Sequence, residues 1–355
     1  MKKTVFIILT ACLLPFCSCS ALFESQIESL GDRLDELGDE LDDLGDRLDE
    51  MDVAFDSTDT ASYYTIIDNG RITKITVNKN QININKNDKL KTRKFNIKDY
   101  NALSVGYSFV VVMCDTVDSV TVRINEKLDK YLVVKVSNGT LNISLDLIGG
   151  LKSDNTKCGY VYLPYNLKLQ SFSLSGEATF ATILPINTAK INVDLAGASR
   201  FKGKIECRKF TSDLSGTARC RADIKCQSAD IDLAGASCLE ANLSSSTVST
   251  DLSGTAKLKG NITSTSFNAS LSGASNMELA GKCDKAHLDM SGASNFNCKK
   301  LNIKTIDGDI SGASNATVNC SELLRMELNG TSHLSYYGNP RTEIDASSTS
   351  KVERK

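Results

Sequence analysis

The sequence predicts an all-β protein built mainly as a parallel β-helix, and three observations support this fold class. A short phrase of the form Asp-Leu-Ser/Ala-Gly-Ala/Thr recurs from position 174 onward, and its glycines are spaced about 19 residues apart. Apolar residues keep fixed positions relative to each glycine, and no amphipathic helical pattern follows residue 57. A fixed repeat of this length is typical of stacked architectures, in which each unit buries its apolar edge against its neighbours.

The first element is a secretory signal over residues 1–18. Lys2 and Lys3 precede an apolar run that is too short to span a membrane and that ends at Ser18-Cys19. This arrangement resembles a bacterial lipoprotein signal, in which Cys19 would carry the lipid. We therefore expect a protein of the cell envelope, lipid-anchored to the outer membrane and either periplasmic or surface-exposed. A secreted protein with an incidental cysteine is the alternative.

The second element, residues 19–56, combines the lipid anchor with an acidic heptad segment. Residues 24–56 hold 14 Asp/Glu against two arginines. Apolar residues occupy the a and d positions of four heptads, which predicts an α-helical coiled-coil stalk. Gly31, Gly38 and Gly45 weaken the helix, so we expect its apolar seam over residues 23–55 to be covered, either by partner helices or by the body of the same chain. Self-association into a homo-oligomer is favoured, and a solvated spacer is the alternative.

Strand patterns dominate the next two segments. Residues 57–92 read as a linker with first strands, such as the alternating run 72–77. Residues 93–173 read as the N-terminal part of the β-domain, with strands at 109–112, 120–122 and 132–136. The sequence Ser137-Asn138-Gly139-Thr140 predicts a hairpin turn before another strand.

The last segment, residues 174–355, is the repetitive β-helix. One repeat fits one coil of about 19 residues, with three short strands and tight corners. The residues two before each glycine, eight after it and thirteen after it are predicted to form interior columns, as Leu214, Leu233 and Leu252 illustrate. The glycine itself is predicted to form a corner that needs unusual dihedral angles or a close backbone approach.

An acidic column precedes the glycines by three residues. It includes Asp194, Asp213, Asp232 and Asp251 and is interrupted by Ser270. The structural interpretation is that these carboxylates bond backbone amides at the corner, with basic residues three after the glycine screening their charge. A calcium ladder is the functional alternative.

Nine cysteines follow Cys19, and their phase within the repeat indicates packing more than metal binding. Cys220 occupies an apolar column and is expected in the core. Cys207 and Cys226 are one period apart, so they should stack in adjacent coils, where a disulfide is geometrically allowed but not required. The redox state of these thiols stays open. No catalytic, cofactor-binding or metal-binding residue is predicted, and no cofactor.

Several features together resemble the head GIN domain family, a group of auto-transporter adhesin heads (DUF2807). The first half shares Arg93-Lys94-Phe95, the strand at 110–112 and the run 138–143. The second half shares the recurring Ser-Gly-Ala-Ser corners, as at 272–275 and 291–294. The resemblance implies a right-handed, single-stranded β-helix exported to the envelope, with a binding or adhesive role and no catalysis.

The leading functional hypothesis is thus a non-enzymatic envelope lipoprotein whose β-helical surface binds a glycan or a surface protein. The mildly basic body shows no dense basic stripe with interleaved aromatic residues, so nucleic acid is not expected as a partner. A polysaccharide-processing β-helix enzyme is the first alternative, although the chain has only His287 and His333 and lacks Trp. A structural envelope component without a soluble ligand is the second.

Overall fold

The computed structural model of the chain describes residues 82–147, 150–153 and 156–355, together with the backbone of residues 63–68 and 71–76. Contacts divide the chain into two units, residues 1–77 and 78–355. In the first unit, strands β1 (Tyr63–Asp68) and β2 (Arg71–Thr76) form an antiparallel hairpin. The predicted signal, Cys19 and the coiled coil at 23–55 lie outside the described residues.

The second unit is an all-β solenoid that begins with short strands. Its first part contains β3 to β11 and one turn of 3₁₀ helix at Asp129–Tyr131. The strands are β3 (Ile82–Ile84), β4 (Leu90–Phe95), β5 (Ala102–Val105), β6 (Phe109–Cys114), β7 (Val120–Asn125), β8 (Leu132–Ser137), β9 (Thr140–Leu145), β10 (Leu151–Ser153) and β11 (Gly159–Pro164).

The repeats form β12 to β24, which share one 20-stranded sheet with β4 to β9 and β11, while β3 and β10 pair separately. The strands of the repeats are β12 (Ser171–Leu174), β13 (Thr179–Leu195), β14 (Arg200–Leu214), β15 (Arg219–Lys225), β16 (Ser228–Leu233), β17 (Cys238–Leu252), β18 (Lys257–Leu271), β19 (Asn276–Met290), β20 (Asn295–Ile310), β21 (Asn315–Leu328), β22 (His333–Tyr337), β23 (Arg341–Ala346) and β24 (Lys351–Arg354). All pairings between successive coils are parallel, and most join residues that are one repeat apart, as Ile205 and Ile224 are.

Parallel stacking extends below the first repeat glycine. Strand β12 pairs with β5 and β13 pairs with β6, both in parallel. One level lower, β9 and β11 continue the parallel stack beneath β5 and β6. There the direction changes, because β8 pairs antiparallel with β9 and β7 pairs antiparallel with β11. The antiparallel strands cover the edge that the first coil would otherwise expose.

The predicted interior columns are confirmed. Leu214, Leu233 and Leu252 lie level with one another in adjacent coils and are 1% exposed or less. The predicted hairpin at residues 137–140 is also present, with positive φ at Asn138 and Gly139. Cys220 is buried in the column that contains Phe201 and Leu239, as expected.

The corner glycines have both predicted features, which are unusual dihedral angles and a close approach of the backbone in the adjacent coil. All nine have φ between +70° and +73°, a region that L side chains rarely adopt. They also stack closely, since a Cβ added to Gly254 would lie 2.8 Å from the carbonyl oxygen of Gly235. The level below Gly176 has Tyr107 at this corner, with φ +62°.

The prediction of three short strands per coil is wrong. In coils such as β17, a single strand of 15 residues runs from one glycine corner to the next. The reason is that the parallel pairing of β17 with β18 continues on both sides of the second bend, at Ser245 and at Thr247. Within the described part of the chain, no helix is long and apolar enough to cross a membrane.

Candidate ligand-binding faces

Each coil has two solvent-exposed faces that point away from a shared core. The strand after the glycine corner and the strand before the next corner both contribute buried side chains to this core, as Leu243 and Val248 show. Their alternating neighbours point outward because successive residues of a strand face opposite sides. The stacked outward side chains therefore form two separate surfaces along the solenoid.

The two surfaces carry opposite charge. We call the outward side of the strands after the corner the basic face; it holds 12 Lys/Arg and 4 Asp/Glu in the segments 200–206, 219–225, 238–244, 257–263, 276–282 and 295–304. We call the outward side of the strands before the corner the acidic face; it holds 7 Asp and 2 Lys in the segments 209–214, 228–233, 247–252, 266–271, 285–290 and 305–310.

Two of the four acidic side chains on the basic face, Asp223 and Glu240, are bonded to neighbours in adjacent coils. Arg221 donates to Glu240 at 2.7 Å, which raises the pKa of the guanidinium. Asn242 donates to the carboxylate of Asp223 at 2.8 Å, and Asn261 donates in turn to Asn242 at 2.9 Å. These bonds fix the side chains in rows across the coils.

Most lysines of the basic face have no such neighbour. Eight of them form no ion pair or hydrogen bond with any described residue. These are Lys202, Lys204, Lys225, Lys257, Lys259, Lys282, Lys299 and Lys300. Their ammonium groups therefore remain available to an anionic ligand.

A shallow depression lies on the basic face where the regular register breaks. Glu278 pairs with Asn297, but Ala280 pairs with Lys300, so β20 contains one extra residue. At the extra residue the alternation of buried and exposed side chains is interrupted, so the neighbouring residues Lys299 and Lys300 are both exposed. The depression has a volume of about 250 Å³. Its lining consists of Lys259, Gly260, Asn261, Glu278, Leu279, Ala280, Asn297, Lys299 and Lys300.

This depression was not predicted from the sequence, although the spacing of the glycines contains a signal for it. The step from Gly292 to Gly312 is longer by a single position than the preceding step, from Gly273 to Gly292. A longer coil at a Lys-Lys pair marks a β-bulge, a feature that redirects side chains.

On the acidic face the predicted aspartate column is present and exposed. Asp213 lies level with Asp232, and Asp232 with Asp251. Partial burial and then the charge of Asp213 raise the pKa of Asp194; burial and then the charges of Asp230, Asp251 and Asp213 raise the pKa of Asp232. Each column carboxylate is thus held beside others of the same charge.

Neither explanation offered for the column is supported by its geometry. The corner amides already have partners in the preceding coil: the amide of Thr255 donates to the carbonyl of Gly235 at 2.7 Å, and that of Lys257 to Ser237 at 2.9 Å. Among the described residues, no three His, Cys, Asp or Glu side chains are grouped to hold a metal ion. The calcium alternative therefore has no group of three such side chains to support it in this part of the chain.

The structure places the histidines apart, as expected for surface residues. His287 lies on the acidic face between Asp289 and Asp307, at 3.3 and 2.8 Å, and the hydrogen bond to Asp307 raises its pKa. His333 is on the opposite strand of a later coil, 3.7 Å from Glu353. The two imidazoles do not form a common site.

Cys207 and Cys226 occupy adjacent coils, and both are free thiols. Contact with Cys207 lowers the pKa of the Cys226 thiol to about 7, while the pKa of Cys207 is raised. Cys226 also donates to the hydroxyl of Ser245 at 3.4 Å. The predicted stacking is confirmed.

A family model described as "Putative auto-transporter adhesin, head GIN domain" matches residues 99–259 and 239–340. These two matches overlap and together extend over well more than half of the 355-residue chain. No curated protein matches the chain.

Three solved structures illustrate the similarity. A crystal structure of a "putative adhesin" from Parabacteroides merdae is 16% identical, with 77% of this chain and 99% of that chain covered and a TM-score of 0.42. A "putative adhesin" from Parabacteroides distasonis is 18% identical, with 77% and 100% covered and a TM-score of 0.44. A "Putative lipid binding protein" from the same species is 18% identical, with 77% and 100% covered and a TM-score of 0.42.

Proposed function

The chain belongs to the head GIN domain family of putative auto-transporter adhesins, and from this membership we propose that it is a non-enzymatic adhesion protein of the cell envelope. The solenoid displays long, regular surfaces to a glycan or to a surface protein. Extended surfaces of this kind suit repetitive partners, because identical contacts recur from coil to coil.

The observation that carries the proposal is the contrast between a closed interior and two exposed, ordered faces. The interior cavity beside Leu243 and Ile262 is only about 10 Å³. A cavity of that size is at the lower limit for a single water molecule. A ligand must therefore bind outside, on the stacked rows of outward side chains.

The arrangement of carboxylates supports binding over hydrolysis. Glycoside hydrolysis requires two carboxyl groups on opposite sides of the scissile bond. The column that contains Asp213, Asp232 and Asp251 runs along one face, in register. A polysaccharide-processing activity is therefore the second candidate, and it makes a different prediction in the test below.

For the attachment, we propose a lipid on Cys19 and an acidic coiled-coil stalk at residues 23–55 that brings copies together. Both proposals rest on the sequence pattern. Outer-membrane localisation, with a periplasmic or surface-exposed body, follows from the same signal. For the solenoid we propose right-handed winding, because parallel crossover connections are right-handed in about 98% of cases.

The anchor is tested by replacing the modified residue. Cys19→Ser should move the protein from the membrane fraction to the soluble fraction and abolish incorporation of a labelled fatty acid. Cys17→Ser is the matched control and should leave both unchanged. Protease treatment of intact cells then distinguishes a surface-exposed body, which is cleaved, from a periplasmic one.

The adhesive role is tested with the full chain on arrays of glycans and envelope proteins. Saturable binding without shortening of any polymer is the expected result. Shortening of uronate polymers would instead establish the enzyme. Absence of binding to every glycan and envelope protein would leave the structural-component alternative and overturn the adhesin.

A further inference from the structure

We propose that the basic face binds an anionic polysaccharide and that the depression at Lys259, Lys299 and Lys300 holds one of its charged sugar units. This inference rests on the adhesive function and specifies its ligand class. The shared chemistry is a carboxylate or sulfate group on a hydroxyl-rich chain.

The charge of the basic face is complementary to that of a polyanion. The basic face has three times as many Lys/Arg as Asp/Glu over six consecutive coils, while the other face of the same coils has the reverse balance. Of its acids, Asp223 and Glu240 are already bonded to neighbouring side chains. Free ammonium groups occur in five of the six coils, at staggered positions, and successive coils are about 4.8 Å apart. A linear polyanion lying along this axis would meet a lysine in almost every coil.

The depression is a preformed subsite within the basic face. Ala280 is level with Asn261 in one adjacent coil and with Lys300 in the other, so a small side chain stands at the centre of the depression. The extra residue in β20 places Lys299 and Lys300 at its rim.

The size and lining of the depression fit one sugar unit. Its volume of about 250 Å³ is below the roughly 300–1,000 Å³ of sites that enclose drug-sized ligands. The lining combines three lysines with the amide side chains of Asn261 and Asn297, which donate and accept hydrogen bonds as sugar hydroxyls require. The carboxylate of Glu278, at the rim, can accept a hydrogen bond from a sugar hydroxyl group.

Nucleic acid fits this face less well. Single-stranded nucleic acid is bound by aromatic side chains on which bases stack, and the outward residues of segments 200–206 through 295–304 include none. Duplex DNA is read by an element that enters a groove, whereas the basic face is the outward side of a parallel sheet.

The test measures binding of the full chain to polygalacturonate and to dextran sulfate, with neutral dextran as the uncharged comparison. The first variant replaces the three lysines of the depression: Lys259→Gln, Lys299→Gln and Lys300→Gln. The matched control removes the same charge from the other side of the coils: Lys209→Gln and Lys285→Gln on the acidic face, and Lys190→Gln at the position level with Lys209 in the coil below. All six side chains are exposed, so both variants should unfold at the same temperature as the parent.

We expect the parent to bind at least one polyanion and not neutral dextran, with affinity that falls as salt rises. The depression variant should lose at least tenfold in affinity, and the control less than twofold. Preference for polygalacturonate would identify a carboxylated ligand, and preference for dextran sulfate a sulfated one.

Equal losses in the two variants would overturn the subsite, because net charge alone would then explain binding. Tighter binding to single-stranded or duplex DNA, or to anionic phospholipid vesicles, would overturn the ligand class. If the full chain binds other glycans or envelope proteins but neither polyanion, this inference fails and the adhesive function stands. Shortening of the bound polyanion would overturn the adhesive function itself.

Discussion

The buried serines two residues after the corner glycines differ in whether their hydroxyl groups have partners. Ser294 and Ser314 are stacked in adjacent coils, and their hydroxyl oxygens are 3.1 Å apart. Ser237 is fully buried, but the same position in the coils below and above it is Ala218 and Ala256. Its hydroxyl has no hydrogen-bond partner. An unsatisfied buried hydroxyl costs free energy, whereas a paired one contributes to stability.

This difference predicts opposite outcomes for the same substitution. Ser294→Ala should lower the free energy of unfolding by about 1 kcal/mol, because it removes the bond to Ser314. Ser237→Ala should leave the free energy of unfolding unchanged or raise it by up to about 1 kcal/mol. Urea denaturation of both variants measures the two effects. Similar losses in both would show that Ser237 has a partner in solution, such as a bound water.

At the scale of one strand row, the aspartate column places like charges side by side. Column residues in adjacent coils are separated by the spacing of parallel strands, about 4.8 Å. The pKa of Asp232 is raised by partial burial and by Asp230, Asp251 and Asp213. A raised carboxyl pKa means that the folded chain binds a proton more tightly than the unfolded chain does. The folded state therefore gains stability as pH falls through that pKa.

Asp232→Asn should consequently stabilise the protein at neutral pH. The side chain is exposed, so we expect the gain to stay below about 1 kcal/mol. The gain should shrink as the pH falls through the raised pKa of Asp232 toward the unfolded value of about 3.9, because protonation in the folded state removes the repelled charge. Thermal unfolding at pH 7 and pH 4 measures it.

The matched control for this substitution is Asp223→Asn, on the basic face. That change replaces the carboxylate that accepts from Asn242 with a neutral, weaker acceptor and should give no gain at pH 7. A gain of equal size in both variants would mean that overall net charge, and not the column, limits stability.

At the scale of the whole solenoid, each coil contacts mainly the coils next to it. Strand β17 pairs with β18 along its full length, and each residue pairs with its equivalent in the next repeat, as Leu243 does with Ile262. Stability in such an architecture is approximately a sum over repeats and their interfaces. A complete coil is therefore a removable unit.

Deletion of residues 236–254, which joins Gly235 to Thr255, should leave a folded solenoid that is shorter by one coil. The glycine corner and every interior column remain in phase after this deletion. Strand content by circular dichroism and a cooperative thermal transition are the measurements. The control is deletion of residues 236–245, which removes about half a coil and should abolish the cooperative transition. Retention of that transition in the control would contradict the stacked-column account.

Much of this architecture could be predicted from residues alone, but not all of it. The regular glycine step predicts the columns that contain Leu214 and Leu233, and these columns are confirmed. The lower limit of the parallel stack could not be predicted, because the corner beneath Gly176 is formed by Tyr107. The number of strands and bends in each coil could not be predicted, because backbone pairing continues through the bend within β17 and no glycine or proline marks it.

The sequence by itself determined the coil length and the alternation of buried and exposed residues, because both follow from local periodicity and from the backbone demands of glycine. Only the tertiary structure decided which exposed residues share a surface. That outcome depends on where each coil bends between Lys204 and Lys209, and the bend separates lysine rows from aspartate rows. The depression at Lys299 and Lys300 has the same origin, since it forms only when three successive coils are stacked.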